Sequence, residues 1–287
     1  MNVIFRNAMT IAQKEFADNL WSPIFLILLA SFSLISIASC YQYGVIATNF
    51  VGMMDSLMPG ILRGLFFFTS TLSQFIPLFG IALSFDTLLR EEKSGSMNVL
   101  LTHPVYRDNI ITGKILGAMM SLLLVIAVSM ALSIGTLLMF IGEEITLFEI
   151  SRIALYFILA YLYSVIFLGS GLFISIIAKN TSDSLIYNIV VWLFFTIAYS
   201  DIIRAILYVF GIQIVDADGN LSVIFQQLLG IAPAYHYQQL VNGLFDVGQT
   251  IPYVLSNFWM DLTILVVVPM VLLVLSFIAF LRKDITL

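Results

Sequence analysis

Six long stretches of this chain carry no charged side chain, and that property limits the fold more than any motif does. They are residues 19–54, 64–85, 115–142, 153–178, 184–200 and 262–281. A helix crossing the hydrocarbon core needs about 20 apolar residues. The first run supplies them from Pro23 to about Tyr43, and the fifth is completed past the Asp201/Arg204 pair by AILYVFGI. Composition agrees: 61% of the 287 residues are hydrophobic and 10% are charged, against roughly 45–50% and 25% in a soluble domain. A soluble fold of this length buries only about three-quarters of its unfolded surface, so the excess must face lipid. The expected fold class is all-α, a polytopic membrane protein with six transmembrane helices.

The flanks refine this plan. Residues 1–22 form an N-terminal cytoplasmic interfacial helix. Ile4, Ala8, Ile11, Ala12, Phe16 and Leu20 recur at helical spacing, with Arg6, Thr10, Gln13, Lys14 and Asp18 opposite, the pattern of a helix lying along a leaflet. Trp21-Ser22-Pro23 then turns the chain into the bilayer. Ile37-Ala38-Ser39-Cys40 looks like a lipoprotein cleavage box, but the region before it is long and contains Glu15 and Asp18, unlike a short basic leader; no cleavage is expected. Residues 23–287 form the six-helix domain. Within it, residues 212–260 mix Gly, Asn, Gln and Pro with apolar residues. This suits short helices broken at Gly230, Pro233, Gly243 and Pro252 that partly re-enter the membrane before the last span, where protein must bury any non-helical backbone.

Orientation follows from Lys and Arg in short loops. With six spans the N-terminus, the 86–114 loop, the 179–184 loop and the C-terminus share a side. They hold nine of the twelve basic residues, leaving Arg63, Arg152 and Arg204 for the other. Both termini are therefore expected in the cytoplasm, with the chain in the cytoplasmic (inner) membrane.

Sites for chemistry are scarce. A P-loop needs Gly-x4-Gly-Lys-Ser/Thr so that backbone N–H groups cradle phosphates; at Gly113-Lys114 the leading position is Asp108 and Ile115 follows. The two histidines, His103 and His236, fall on opposite sides of the membrane and make no zinc motif. Asp216-Ala-Asp218-Gly-Asn220 has its glycine two residues early for a calcium loop, and Gln227 at the twelfth position. Gly169-Ser170-Gly171 suits close helix packing. The lone cysteine, Cys40, excludes an intrachain disulfide, and a net charge of −5 offers nothing to nucleic acid. The chain is expected to hold no catalytic residue, cofactor or metal. Asp86, Asp201 with Arg204, and Asp261 sit near span ends, where anchoring explains them. Ser73, Gln74, Asn188 and Trp192, with Pro77, Phe194 and Phe195, either line a translocation path or bond helices together; local physics leaves both open.

The most specific stretch is FDTLLREEKSGSMNVLLTHPVYRDNIITGKILG, residues 85–117. It reads as a charged helix end, Ser94-Gly95, a short helix with an apolar ridge of Met97, Leu100 and Leu101, a break at Pro104, then Arg107 and a new helix at Asn109–Lys114. The ridge needs a soluble partner or the protein's own surface, and an amphipathic linker would look the same.

At these residues the chain resembles the ABC-2 type transporter permeases, particularly six-span members related to the nitrous-oxide-reductase maturation permease. The matching positions are Asp86, Glu91, Ser94, Gly95, Leu100, Leu101, Pro104, Val105, Arg107, Gly113, Lys114, Leu116 and Gly117, with Ser96 where threonine is commoner. The resemblance implies a permease that pairs with a second copy or a similar chain. A separate cytoplasmic P-loop ATPase, holding ATP and Mg, would dock on the 91–107 coupling loop through Glu91, Ser94, Gly95, Met97, Leu100, Leu101, Pro104 and Arg107. Most relatives export, and the motif does not encode the substrate. Three rivals stand beside this reading. An ATP-independent carrier or channel should show internal pseudo-symmetry or mid-span charges; an intramembrane enzyme should show a spaced nucleophile and base; a non-transporting anchor would relay ATPase work to an outer partner.

Overall fold

The computed structural model of the protein describes residues 3–49, 60–90, 107–142, 145–215, 221–246 and 248–283. Among them every regular element is a helix, and the one β feature is an isolated antiparallel bridge between Val215 and Leu221. The elements are α1 (Val3–Leu20), α2 (Pro23–Asn49), α3 (Gly60–Ala82), α4 (Arg107–Ile141), α5 (Leu147–Ile177) and α6 (Thr181–Trp192). A π-helical segment, Leu193–Ala198, joins α6 to α7 (Tyr199–Val209). After these come α8 (Val223–Leu229), α9 (Pro233–Phe245), α10 (Ile251–Asn257) and α11 (Trp259–Arg282).

Five described helical stretches are long and apolar enough to cross a bilayer: Pro23–Tyr43, Arg107–Phe140, Leu147–Ile177, Thr181–Val209 and Trp259–Arg282. They fall on five of the six expected runs. The sixth run, 64–85, falls on α3, whose shorter apolar stretch is Leu72–Ala82. The expected completion of the fifth run past Asp201 is one helical rod with a π turn in its middle. The protein is thus an all-α, polytopic membrane protein.

α5 is the centre of the bundle. The apolar window of α5 is 61% buried, against 11% for the rod Thr181–Val209, because α3, α4, α9 and α11 all pack on it. Small residues set the closest approaches, as they do where helices meet without a hydrophobic driving force. A Cβ on Gly80 of α3 would meet the Ser164 carbonyl and Leu168 nitrogen of α5. Gly169 admits Leu272 of α11, and Gly171 admits Ser84. Ser276 Oγ donates to the Gly169 carbonyl at 3.1 Å. Gly169-Ser170-Gly171 is therefore a packing notch, as its setting on a span implied.

Helix starts follow local chemistry. Thr146 caps α5 in a reciprocal box with Glu149: the Thr146 N–H donates to Glu149 Oε2 at 2.8 Å, and the Glu149 N–H donates back to Thr146 Oγ1 at 3.3 Å. Asn180 Oδ1 accepts from the Asp183 N–H at 2.8 Å to open α6. In the 212–260 segment, Gly230 ends α8, Pro233 opens α9 and Pro252 lies in the first turn of α10. Gly243 does not break its helix. It sits inside α9, buried, where a Cβ would come 2.7 Å from Phe258 Cε2. Its role is close approach rather than termination. α9 carries Tyr237, Leu240, Val241, Leu244 and Phe245 into the main core, so protein covers this broken segment.

Candidate functional site

At one end of the bundle the terminal helices and both flanks of the 91–106 stretch come together. α4 is 35 residues long, about 52 Å at 1.5 Å per residue, so it outruns a hydrocarbon core of about 30 Å. α1 lies against its projecting first turns. The seat is cut by glycine: a Cβ on Gly113 would fall 2.6 Å from Ile11 Cβ, and one on Gly117 2.6 Å from Glu15 Cβ. Ala8 and Ala12 of α1 face the same groove and are buried.

Between the two glycines, Lys114 Nζ donates to Glu15 Oε1 at 3.0 Å, with the lysine side chain 2% exposed and the glutamate 9%. Next to this pair is a cleft lined by Asn19, Ser22, Leu83, Asp86, Thr87 and Arg90, among others. Burial pushes the Asp86 carboxyl above its ordinary 3.8, and the charges of Arg90 and Lys114 pull it back. An apolar cluster of Leu88, Ile110, Ile111, Ile176 and Phe280 seals the same end, with Ile11 and Phe277 packed on it. Arg107 Nη1 donates to the Lys283 carbonyl at 3.3 Å, and Ser184 Oγ to the Phe85 carbonyl at 2.6 Å. The start of α4, the ends of α3, α5 and α11, and all of α1 thus share one side.

Of the docking residues expected from sequence, Arg107 is placed here, at the root of α4. Glu91, Ser94, Gly95, Met97, Leu100, Leu101 and Pro104 lie outside the described residues. The Glu15–Lys114 pair and its glycine seat were not anticipated. Gly113, Lys114 and Gly117 belonged to the recognised pattern, but their partner lay 99 residues away.

The polar span residues form a second group. Trp192 Nε1 donates to the Gln74 carbonyl at 2.8 Å, joining the end of α6 to α3. Asn188, one turn earlier and fully buried, donates to the Ser184 carbonyl at 2.9 Å, and its Oδ1 has no hydrogen-bond partner among the described residues. Ser73 is buried on α3, whereas the Gln74 side chain is exposed. The structure brings Gln74 and Trp192 into contact and places Asn188 on the same helix.

The opposite end is held by charged residues. Arg152 of α5 is fully buried; its guanidinium donates to the carbonyls of Leu244, Asp246 and Gln249, and lies 4.3 Å from the centre of the Phe148 ring. It caps the C-terminal turn of α9, where carbonyls lack intrahelical donors. Asp261, at the head of α11, pairs with His236 of α9. Asp201 and Arg204 form an exposed pair at 3.3 Å. Among the described residues no group of three or more His, Cys, Asp or Glu is placed to hold a metal.

The arrangement is that of a polytopic helical membrane protein whose polar elaboration lies at its two ends. The family model of ABC-2 family transporter proteins matches residues 9–285, and the chain belongs to that family; it is an ABC transporter permease. It is similar to the probable ABC transporter permease protein NosY of Pseudomonas aeruginosa, 25% identical over 266 residues, covering 89% of this chain and 92% of the relative. A second relative, the probable ABC transporter permease protein NosY of Stutzerimonas stutzeri, is 28% identical over 108 residues, 37% of each chain.

Proposed function

We propose that this chain is the transmembrane subunit of an ATP-driven exporter, energised by a separate cytoplasmic P-loop ATPase that binds ATP and Mg. The observation that carries the reading is the gathering of α1, the root of α4, the end of α11 and both flanks of the 91–106 loop at one end. A soluble partner pressing on that loop would push directly on α1 and α4. Six spans are proposed, with α3 as the second, both termini in the cytoplasm and the chain in the cytoplasmic membrane. The path lies between two copies, with Ser73, Gln74, Asn188 and Trp192 facing it as α3 and the α6–α7 rod move. Closure of the ATPase pair drives the loop inward and opens the interface between the copies outward. The exported substrate is set by that interface.

The test acts on the loop. Leu100→Asp would bury an unpaired carboxylate in the docking groove, at a cost of several kcal/mol, and release the ATPase while the spans still assemble. Co-purification of the ATPase and its stimulation by the permease are the readouts. Wild-type assembly and turnover in Leu100→Asp would refute the docking role of the loop.

A further inference from the structure

His236 stands in the first turns of α9 and is 6% exposed. Both of its ring nitrogens are engaged. Nε2 lies 2.6 Å from the Gly230 carbonyl oxygen, and Nδ1 lies 2.6 Å from Asp261 Oδ1. A carbonyl only accepts, so Nε2 carries a hydrogen. In a neutral ring of that tautomer Nδ1 is a bare lone pair, and an ionised carboxylate opposite offers another. At 2.6 Å the contact therefore holds a proton of its own, shared by the pair whichever atom bears it. Removing a proton leaves the ring one hydrogen for two acceptors; where Nε2 keeps it for the Gly230 carbonyl, two acceptors face each other at Asp261 and that contact opens.

We propose that His236 and Asp261 form a proton-dependent latch that fastens the N-terminal end of α9 to the first turn of α11. The elements around it are consistent with this. Asp261 is the charged group that faces the ring among the described residues. α11 brings no other ionisable side chain near its head, and α10 contributes only Tyr253, which is exposed. Tyr235 of α9 lies edge-on at 5.7 Å. From α5, Arg152 engages the far end of α9 and Tyr163 stacks on Tyr237 at 4.5 Å. The π-helical segment has no titratable side chain. Arg63 of α3 has its side chain outside the described residues.

The direction of the switch follows from the balance of forces. Burial disfavours a charged ring, but the hydrogen bonds to Asp261 and Gly230 and the Asp261 charge outweigh it, so His236 is held above its usual 6.5. A raised folded-state value contributes stability that is complete below the unfolded value and lost as pH rises through the folded one. The latch is closed at acidic and neutral pH and opens on the alkaline side. Arg152 still donates to the Leu244 and Asp246 carbonyls, so α9 remains pinned at its Phe245 end while its Pro233 end is freed. The latch is a property of this chain and stands whatever the permease carries.

The chain has only two histidines, which makes the test direct. In the purified full-length protein, imidazole nitrogen resonances are followed through a pH titration, the signal missing from His236→Gln being that of His236. It is expected to titrate above 6.5, with both nitrogens protonated on the acid side, and Asp261→Asn is expected to lower the transition. A wild-type His236 titrating at or below 6.5, or a transition unmoved by Asp261→Asn, would overturn the latch. Motion is read separately from a spin label at the exposed Gln238 on a Cys40→Ala background. The label should become more mobile as pH passes the same transition in the wild type, and should be mobile at every pH in Asp261→Ala, which offers the ring no partner. Constant mobility in the wild type would also overturn it.

Discussion

Two buried cations do different work in this molecule. Among the described residues Lys114 pairs with Glu15 on a neighbouring helix; Arg152 is satisfied mainly by carbonyls at the end of another. Lys114→Met strands the Glu15 carboxylate and should destabilise the protein by about 3–5 kcal/mol, whereas Glu15→Leu/Lys114→Met together should recover most of that loss. Thermal unfolding of the purified protein in detergent measures both, and a double variant as unstable as the single one would contradict the pairwise account. Arg152→Gln removes the donors that hold the 246–249 turn. Limited proteolysis should then cut next to Asp246 and Gln249 faster than in the wild type, and Arg152→Lys should lie between the two. Sequence neighbours mark Lys114 only as part of the family pattern, and Arg152 not at all. Lys114 serves equally well in a tally of loop charges, because the residue that pairs with it is set by how α1 lies on α4. The Thr146–Glu149 box, which the sequence reading did not single out, is by contrast a contact between residues three apart and is marked by spacing alone.

At the scale of elements, α1 depends on two glycines. Gly113→Leu and Gly117→Leu place side chains where Ile11 and Glu15 now lie, and each should lift α1 from α4. Trypsin, which has sites at Arg6 and Lys14, should then remove the N-terminal segment faster from the variants than from the wild type. Equal cleavage rates would mean that α1 is held by something other than this seat. The apolar stripe of α1 was readable at helical spacing, and Ala8 and Ala12 are indeed its buried members. The surface receiving the stripe was not readable, and Glu15 turned out to be buried on the same side. Gly243 makes the complementary point. A glycine in a run of turn-forming residues reads as a break, yet within α9 it is the place where Phe258 comes close. The π turn at Leu193–Ala198 has no Pro or Gly to announce it. It lies between Trp192, bonded to α3, and Tyr199, whose hydroxyl donates to the Leu228 carbonyl at 2.7 Å, so tertiary contacts bracket the local widening.

For the whole molecule the proposed topology makes a simple demand. On a Cys40→Ala background, a cysteine near Asn220 should react with an impermeant maleimide added outside intact cells, and one near Ser182 should react only after permeabilisation. The reverse pattern would remove the six-span arrangement and the cytoplasmic assignment of α1. Assembly makes a second demand: the permease should purify as a pair of copies bringing two ATPase chains, and a monomer that transports by itself when reconstituted would contradict the path between copies.

The class and the positions of five long apolar helices were determined by the sequence alone, because lipid imposes a one-dimensional rule: about 20 consecutive residues without charge must be helical, wherever they end up. The pattern over residues 85–117 pointed to the family for a similar reason, its residues being contiguous in the chain. Tertiary structure alone decided which buried charges meet. Glu15 finds Lys114, Arg152 finds the end of α9, and His236 finds Asp261 through helices that are distant or unconnected in sequence. Apolar faces tolerate many packings of similar area, whereas an ion in a low-dielectric interior tolerates only the packing that brings its partner within about 3 Å.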